Sequence, residues 1–254
     1  MRGWKGHCSS SISRARNPAA GELGVMQEYE MLRNGIKTVK KKGLYYIVKN
    51  DGSLMKFKPW LGDAFSLLYD FIMKRSIFPR KFGGDMSKHY EILKEQVQGV
   101  HGKKVLELAS GSGSGVNFLP NDNQYVGTDI SPGLLKQAMK NFQNAGFKDA
   151  EFYVTSAADL PFNDNHFDIV LCILSLNFFD DVKKAFQEIR RVSAKGANFI
   201  CSVPVPERNS LQSPIRGTLY SEKELEEICQ ESGFSFESIP FENGALLYFR
   251  AILQ

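Results

Sequence analysis

No apolar run in this chain approaches the roughly 20 residues that a membrane-spanning helix needs, so no transmembrane segment is expected. Cysteine is scarce and scattered. Cys8, Cys172, Cys201 and Cys229 form no C-x-x-C pair, and two of them fall in expected buried strands, which points to reduced thiols in a reducing compartment. His7, His89, His101 and His166 show no metal-ligand spacing either, so no metal site is expected. Residues 1–24 hold no acid before Glu22 and no apolar core of the kind a secretory signal requires. They read as a flexible basic tail with a faint compositional likeness to a mitochondrial transit peptide, and folded chain is expected from about Met26 or Met31. The location expected is cytoplasmic, or mitochondrial if that tail is a transit peptide.

Acidic residues are scarce at one end only. Residues 1–60 carry twelve Lys or Arg against four Asp or Glu, a net of +8, although the whole chain is only +4. A basic front end suits an anionic substrate, a membrane surface or nucleic acid, and equally a solvated segment. At 254 residues the chain has room for one α/β domain with an appendage.

What the chain does have is the stretch Lys103-Lys104-Val105-Leu106-Glu107-Leu108-Ala109-Ser110-Gly111-Ser112-Gly113-Ser114-Gly115. An apolar, β-branched run that breaks into alternating glycines is a buried parallel strand turning toward a helix, where a ligand can touch backbone. The third glycine of the dinucleotide fingerprint is missing, because Val116 stands there. An NAD-dependent enzyme is accordingly the weakest contender.

Beyond this turn strands and helices alternate with short links, the pattern of parallel βαβ units. Strands are expected over 124–130, 151–155, 167–174 and 197–203. Ser131-Pro132 is an N-cap and first helical residue, and Ser221-Glu222-Lys223-Glu224 is a capping box. Near the end, two β-prone runs flank Glu242-Asn243-Gly244, so a hairpin makes at least one late strand antiparallel. Upstream, a short helix is expected over 27–42. Asp51-Gly52 should turn a hairpin between 44–48 and 54–57, and 60–73 should be a helix rich in aromatics.

The run Glu107-Leu108-Ala109-Ser110-Gly111-Ser112-Gly113, with the acid at 129, the segment Thr155-Ser156-Ala157-Ala158-Asp159-Leu160-Pro161-Phe162 and the terminal hairpin, resembles the class I S-adenosylmethionine-dependent methyltransferases of the type 11, small-molecule kind. The likeness covers about residues 87–254. It implies a doubly wound, Rossmann-like, seven-stranded sheet of order 3-2-1-4-5-7-6, with residues 1–25 as a tail and 26–86 as an accessory or lid region.

The resemblance also implies the site. S-adenosyl-L-methionine would be held by Glu107, Ala109, Ser110, Gly111 and Gly113 at its amino-acid end. Asp129 would accept the ribose hydroxyls, as a carboxylate with two acceptor oxygens can, and Ile130 would cover the adenine. Ser156, where the family usually has an acid, and Ala157 would serve the adenine ring, while Cys172 and Ile173 would pass the methionine. Ala109 departs from the family's usual glycine. Acceptor contacts are assigned to Tyr69, Asn177, Arg208 and Arg216, with Trp60 and Phe71 as further lid candidates. Methyl transfer needs alignment more than a base, and no catalytic residue is identifiable. A small-molecule acceptor is expected. The alternatives are an RNA methyltransferase using the basic front end as its nucleic-acid arm, and a cofactor-binding protein of this fold without turnover.

Overall fold

A computed structural model describes residues 31–58 and 73–254. Nine strands form one sheet: β1 (Lys37–Lys41), β2 (Leu44–Val48), β3 (Lys104–Leu108), β4 (Gln124–Asp129), β5 (Glu151–Val154), β6 (Phe167–Ile173), β7 (Ser193–Pro204), β8 (Glu237–Asn243) and β9 (Leu246–Ile252). Their spatial order is β1-β2-β5-β4-β3-β6-β7-β9-β8. Counted from β3, the last seven reproduce the expected 3-2-1-4-5-7-6, parallel up to β7 and antiparallel at β9 and β8. Because the order reverses on either side of β3, the crevice at its carboxyl end is the switch point at which open α/β sheets bind ligands.

The count of nine corrects the expected seven. The extra pair comes from the front of the chain, where β2 adds to the β5 edge in parallel register, Tyr45 opposite Tyr153. Those two rings stack with centroids 4.7 Å apart. Residues 37–41 are strand rather than helix, because Lys42 and Gly43 both take positive φ (51° and 85°), the conformation of a tight two-residue hairpin turn. Asp51-Gly52 does turn the chain, with Lys49 N–H donating to the Ser53 carbonyl at 2.8 Å, but the return makes only one bridge, Leu54 to Val48. The aromatic stretch with Trp60, Tyr69 and Phe71 lies outside the described residues.

Among the described residues four α-helices flank the sheet: α1 (Met86–Val97), α2 (Pro132–Asn144), α3 (Val182–Val192) and α4 (Glu222–Glu231). Each starts on a side-chain cap: Asp85, Ser131, Asp181 and Ser221 accept from backbone amides, and Ser221 with Glu224 closes the capping box. A π-helical segment, Met73–Phe82, leads into α1.

Alternate residues of the central strands enter different cores, as a sheet covered on both faces requires. Val105, Ile169 and Leu171 pack with Ile92 of α1 and with Leu135 and Phe142 of α2. Leu106, Val170 and Cys172 pack on the opposite face with Phe186 and Ile189 of α3 and Cys229 of α4.

Candidate active site

Both turns that follow the two central parallel strands bend sharply. After β3 the chain takes positive φ at Ala109 (47°), Gly111 (55°) and Gly113 (84°), and after β6 it does so at Leu174 (59°). Non-glycine residues at positive φ are uncommon and tend to gather at functional sites. Ala109 therefore occupies a backbone conformation that explains why glycine is usual there, and it carries the strain of its Cβ. At Gly113 an added Cβ would meet the Ala138 Cα at 2.8 Å, so glycine is what lets α2 pack against the turn.

These bends open a cleft of about 1320 Å³ at the carboxyl ends of β3, β4, β5 and β6. It exceeds the roughly 300–1,000 Å³ of a typical small-molecule pocket, leaving space for two ligands side by side. Of the residues assigned to a cofactor, Ala109, Ser110, Gly111, Gly113, Asp129, Ile130, Ser156, Ala157 and Ile173 all line it. Asp129, 7% exposed at the end of β4, is fixed by two amides: Oδ2 accepts from Gly111 N–H at 3.0 Å and Oδ1 from Ser131 N–H at 2.8 Å. Ile130 beside it is exposed on the cleft wall.

Glu107 and Cys172 sit behind the wall instead of in it. Glu107 is fully buried and accepts a short hydrogen bond from the Tyr125 hydroxyl. Burial pushes its carboxyl up from the ordinary 4.5 to about 7, opposed by the Tyr125 bond and assisted by the charge of Asp129. Cys172 is enclosed in the core with its Sγ 3.3 Å from Ser175 Oγ. The cleft is reached at Ile173 and at the bent backbone of Leu174.

Two of the residues assigned to the acceptor are occupied elsewhere, and a third, Arg216, is exposed and away from the cleft. Arg208 Nη1 donates to the carbonyls of Phe241 and Leu246 at 3.1 and 3.2 Å, and the guanidinium pairs with Glu222 at 3.6 Å. Carbonyls at the β8–β9 turn thus capture a loop arginine that its sequence position alone leaves unconstrained. Asn177 is buried, donating to the Arg216 carbonyl at 2.7 Å and accepting from Thr218 N–H at 2.8 Å, which ties the 204–220 loop to the end of β6. None of Asn177, Arg208 and Arg216 borders the cleft among the described residues, and Tyr69 lies outside them.

The loop bearing Ser156 is braced from below. Ser156 Oγ accepts from Ala158 N–H at 3.2 Å, Asp159 turns outward to Arg33 at 3.0 Å, and Arg191 donates to the carbonyls of Leu160 and Phe162. The outer cleft is formed by Met73, Met86 and Phe178, whose sequence positions place them near an acceptor, and by Phe57, His89 and Tyr90, which motif reading passed over. Their only sequence signal is position, just before the glycine strand or just after β6.

The fold and the cleft together define a class, a doubly wound domain with an antiparallel end and an acid-tipped crevice beside a glycine turn. Residues 106–201 match the family model described as a methyltransferase domain. That match and the fold support a class I S-adenosylmethionine-dependent methyltransferase domain in this chain. It is 31% identical over 98 residues to the uncharacterized methyltransferase YcgJ of Bacillus subtilis, a stretch covering 38% of this chain and 39% of that protein. It is 32% identical over 109 residues to the demethylmenaquinone methyltransferase of Clavibacter sepedonicus, covering 42% and 44%. The matched stretch thus spans less than half the length of these two relatives. Among solved structures, a SAM dependent methyltransferase from Aquifex aeolicus superposes with a TM-score of 0.58 at 18% identity, over 78% of this chain and 100% of that one.

Proposed function

We propose that this protein transfers a methyl group from S-adenosylmethionine to a small hydroxylated aromatic acceptor of the quinol class. The observation that carries the cofactor half is the meeting of Gly111 and Asp129 at the cleft floor. A Cβ added to Gly111 would meet no protein atom within 4 Å, so the space over this residue belongs to the cleft and a ligand can lie against bare backbone. A carboxylate has about four acceptor positions, and the two amides on Asp129 set its plane for a vicinal diol. The residues present fit the cofactor.

In this reading Asp129 receives the ribose hydroxyls and Ile130 covers the adenine. Backbone at Ser156 and Ala157 serves the ring nitrogens, and the turns at 109–113 and 173–174 flank the amino-acid end. When bound, the cofactor would supply a methyl carbon activated by its sulfonium. The chain's own residues align the acceptor and exclude water, a proximity effect that in favourable cases is worth on the order of 7 kcal/mol or more.

For the acceptor, support comes from the outer cleft, where Phe57, Met86, Tyr90 and Phe178 offer aromatic and apolar surface. Lys56, Lys58 and Lys184 in its lining are balanced by Asp129, Asp180 and Asp181, which suits an acceptor without net charge. The name of the Clavibacter relative points the same way.

Calorimetric titration with S-adenosylmethionine, S-adenosylhomocysteine and NAD tests the cofactor half, and radiolabelled methyl transfer to a short-chain demethylmenaquinol tests the acceptor. Micromolar binding of the first two with label in the quinol is expected. Binding of NAD alone would overturn the cofactor reading. Cofactor binding without quinol labelling would overturn the acceptor.

A further inference from the structure

A run of hydrogen bonds from Asp85 to His89 determines where one buried proton sits. Asp85 N–H donates to Asn243 Oδ1 at 2.6 Å, and Asn243 Nδ2 donates back to the Asp85 carbonyl at 3.0 Å. This reciprocal pair settles which end of the Asn243 amide is nitrogen. The same Nδ2 donates to Tyr248 Oη at 3.0 Å, so the phenol accepts there and sends its own hydrogen to His89 Nδ1, 2.8 Å away. The opposite arrangement would strand a buried phenolic hydrogen, at a cost of about 1–3 kcal/mol.

A neutral imidazole that accepts at Nδ1 carries its proton on Nε2. His89 is neutral, because burial pushes its pKa down to about 3. The side chain is 1% exposed and borders the cleft, yet Nε2 has no hydrogen-bond partner. The Phe78 ring, with its centroid 5.1 Å away and tilted at 56°, packs on the imidazole but offers no lone pair. Unpaired buried donors are rare enough to require a reason.

Position in the sheet indicates which ligand His89 serves. Its partner Tyr248 stands on β9, four strands from Asp129 on β4, a separation on the order of 19 Å at about 4.8 Å per strand. Tyr248 thus ties His89 to the β9 side of the sheet, away from β4, and Met86, Ser87 and Tyr90 of its own helix line the cleft with it.

We propose that His89 donates a hydrogen bond from Nε2–H to a hydroxyl or carbonyl oxygen of the methyl acceptor and thereby sets the orientation of its ring. Tyr248 and Asn243 are positioning residues that hold the tautomer. The assignment rests on the quinol-class reading of the acceptor.

Ring-nitrogen NMR on the whole protein with isotope-labelled histidine and S-adenosylhomocysteine bound is the direct test. A protonated Nε2 and a bare Nδ1 are expected, with the Nε2 signal alone moving when a short-chain demethylmenaquinol is added. A protonated Nδ1, or an Nε2 signal indifferent to the quinol, overturns the proposal. His89→Phe should lower kcat/KM for the quinol about tenfold, the effect of one lost hydrogen bond, with S-adenosylhomocysteine affinity held within about twofold. His89→Gln, which keeps a donor, should recover part of the loss. Quinol turnover at the native rate in His89→Phe would overturn the role of His89 and leave the acceptor reading intact. A native protein that binds S-adenosylhomocysteine but neither methylates the quinol nor shifts Nε2 would overturn both. If the phenylalanine variant does not fold, the NMR arm and His89→Gln decide.

Discussion

Asp129 Oδ2 accepts a 3.0 Å hydrogen bond from the amide of Gly111, so the acid that ends β4 and the glycine turn that follows β3 hold each other in place. Asp129→Ala removes both the proposed diol acceptor and this tie. Calorimetry should show affinity for S-adenosylmethionine falling at least tenfold, about 1.4 kcal/mol. Asp129→Asn should not rescue it, because one of the two backbone donors would then face an amide NH₂. Asparagine binding as tightly as aspartate would remove Asp129 from the cofactor site.

Alanine at two neighbouring glycines should separate binding from folding. At Gly111 the added Cβ enters open cleft, so the protein should lose only the strain of a left-handed residue, about 1–2 kcal/mol, while cofactor affinity drops more than about tenfold. At Gly113 the Cβ meets the Ala138 Cα at 2.8 Å and its Cβ at 2.9 Å. Overpacking and positive φ together should cost about 3 kcal/mol in urea unfolding. Equal effects of the two substitutions on stability would contradict this division.

Ala109→Gly runs in the opposite direction. Ala109 sits at φ 47°, so glycine should relieve about 1 kcal/mol of backbone strain, partly offset by the greater freedom it gives the unfolded chain. The melting temperature should stay level or rise, with cofactor binding retained. A clear fall would mean that the alanine methyl contributes packing that outweighs its conformational cost.

Glu107 imposes a pH dependence on stability. Its carboxyl titrates near 7 in the folded protein against an ordinary 4.5, so between those values the folded state binds more protons than the unfolded one. Its contribution to stability is fully present below about pH 4.5 and is lost as pH rises through about 7, with a ceiling of about 3 kcal/mol. Glu107→Gln, which still accepts from Tyr125, should flatten this part of the profile and make the variant relatively more stable at pH 8. Denaturant unfolding across the range measures it, and an unchanged slope would mean that Glu107 ionises normally.

The order of the middle strands and the floor of the cleft were legible in the residues alone because their signals are local. Alternating glycines need no distant partner to make a turn, Ser131-Pro132 and Ser221 cap helices within four residues, and Asn243-Gly244 turns a hairpin by its own backbone preferences. The acid at the end of β4 follows from the same short-range pattern. Tertiary structure decided whatever depends on pairing across the sheet. The pairing of β2 with β5 joins residues about one hundred positions apart, and it made residues 37–41, expected to lie in a helix over 27–42, the edge of a nine-stranded sheet. Arg208 looked available for a substrate until the carbonyls of Phe241 and Leu246 claimed it. His89 looked like a lone histidine until Tyr248, Asn243 and Asp85 fixed its proton. Hydrogen-bond donors and acceptors far apart in the chain are matched only by the folded geometry, and that matching determines which polar side chains are consumed by the structure and which remain for a ligand.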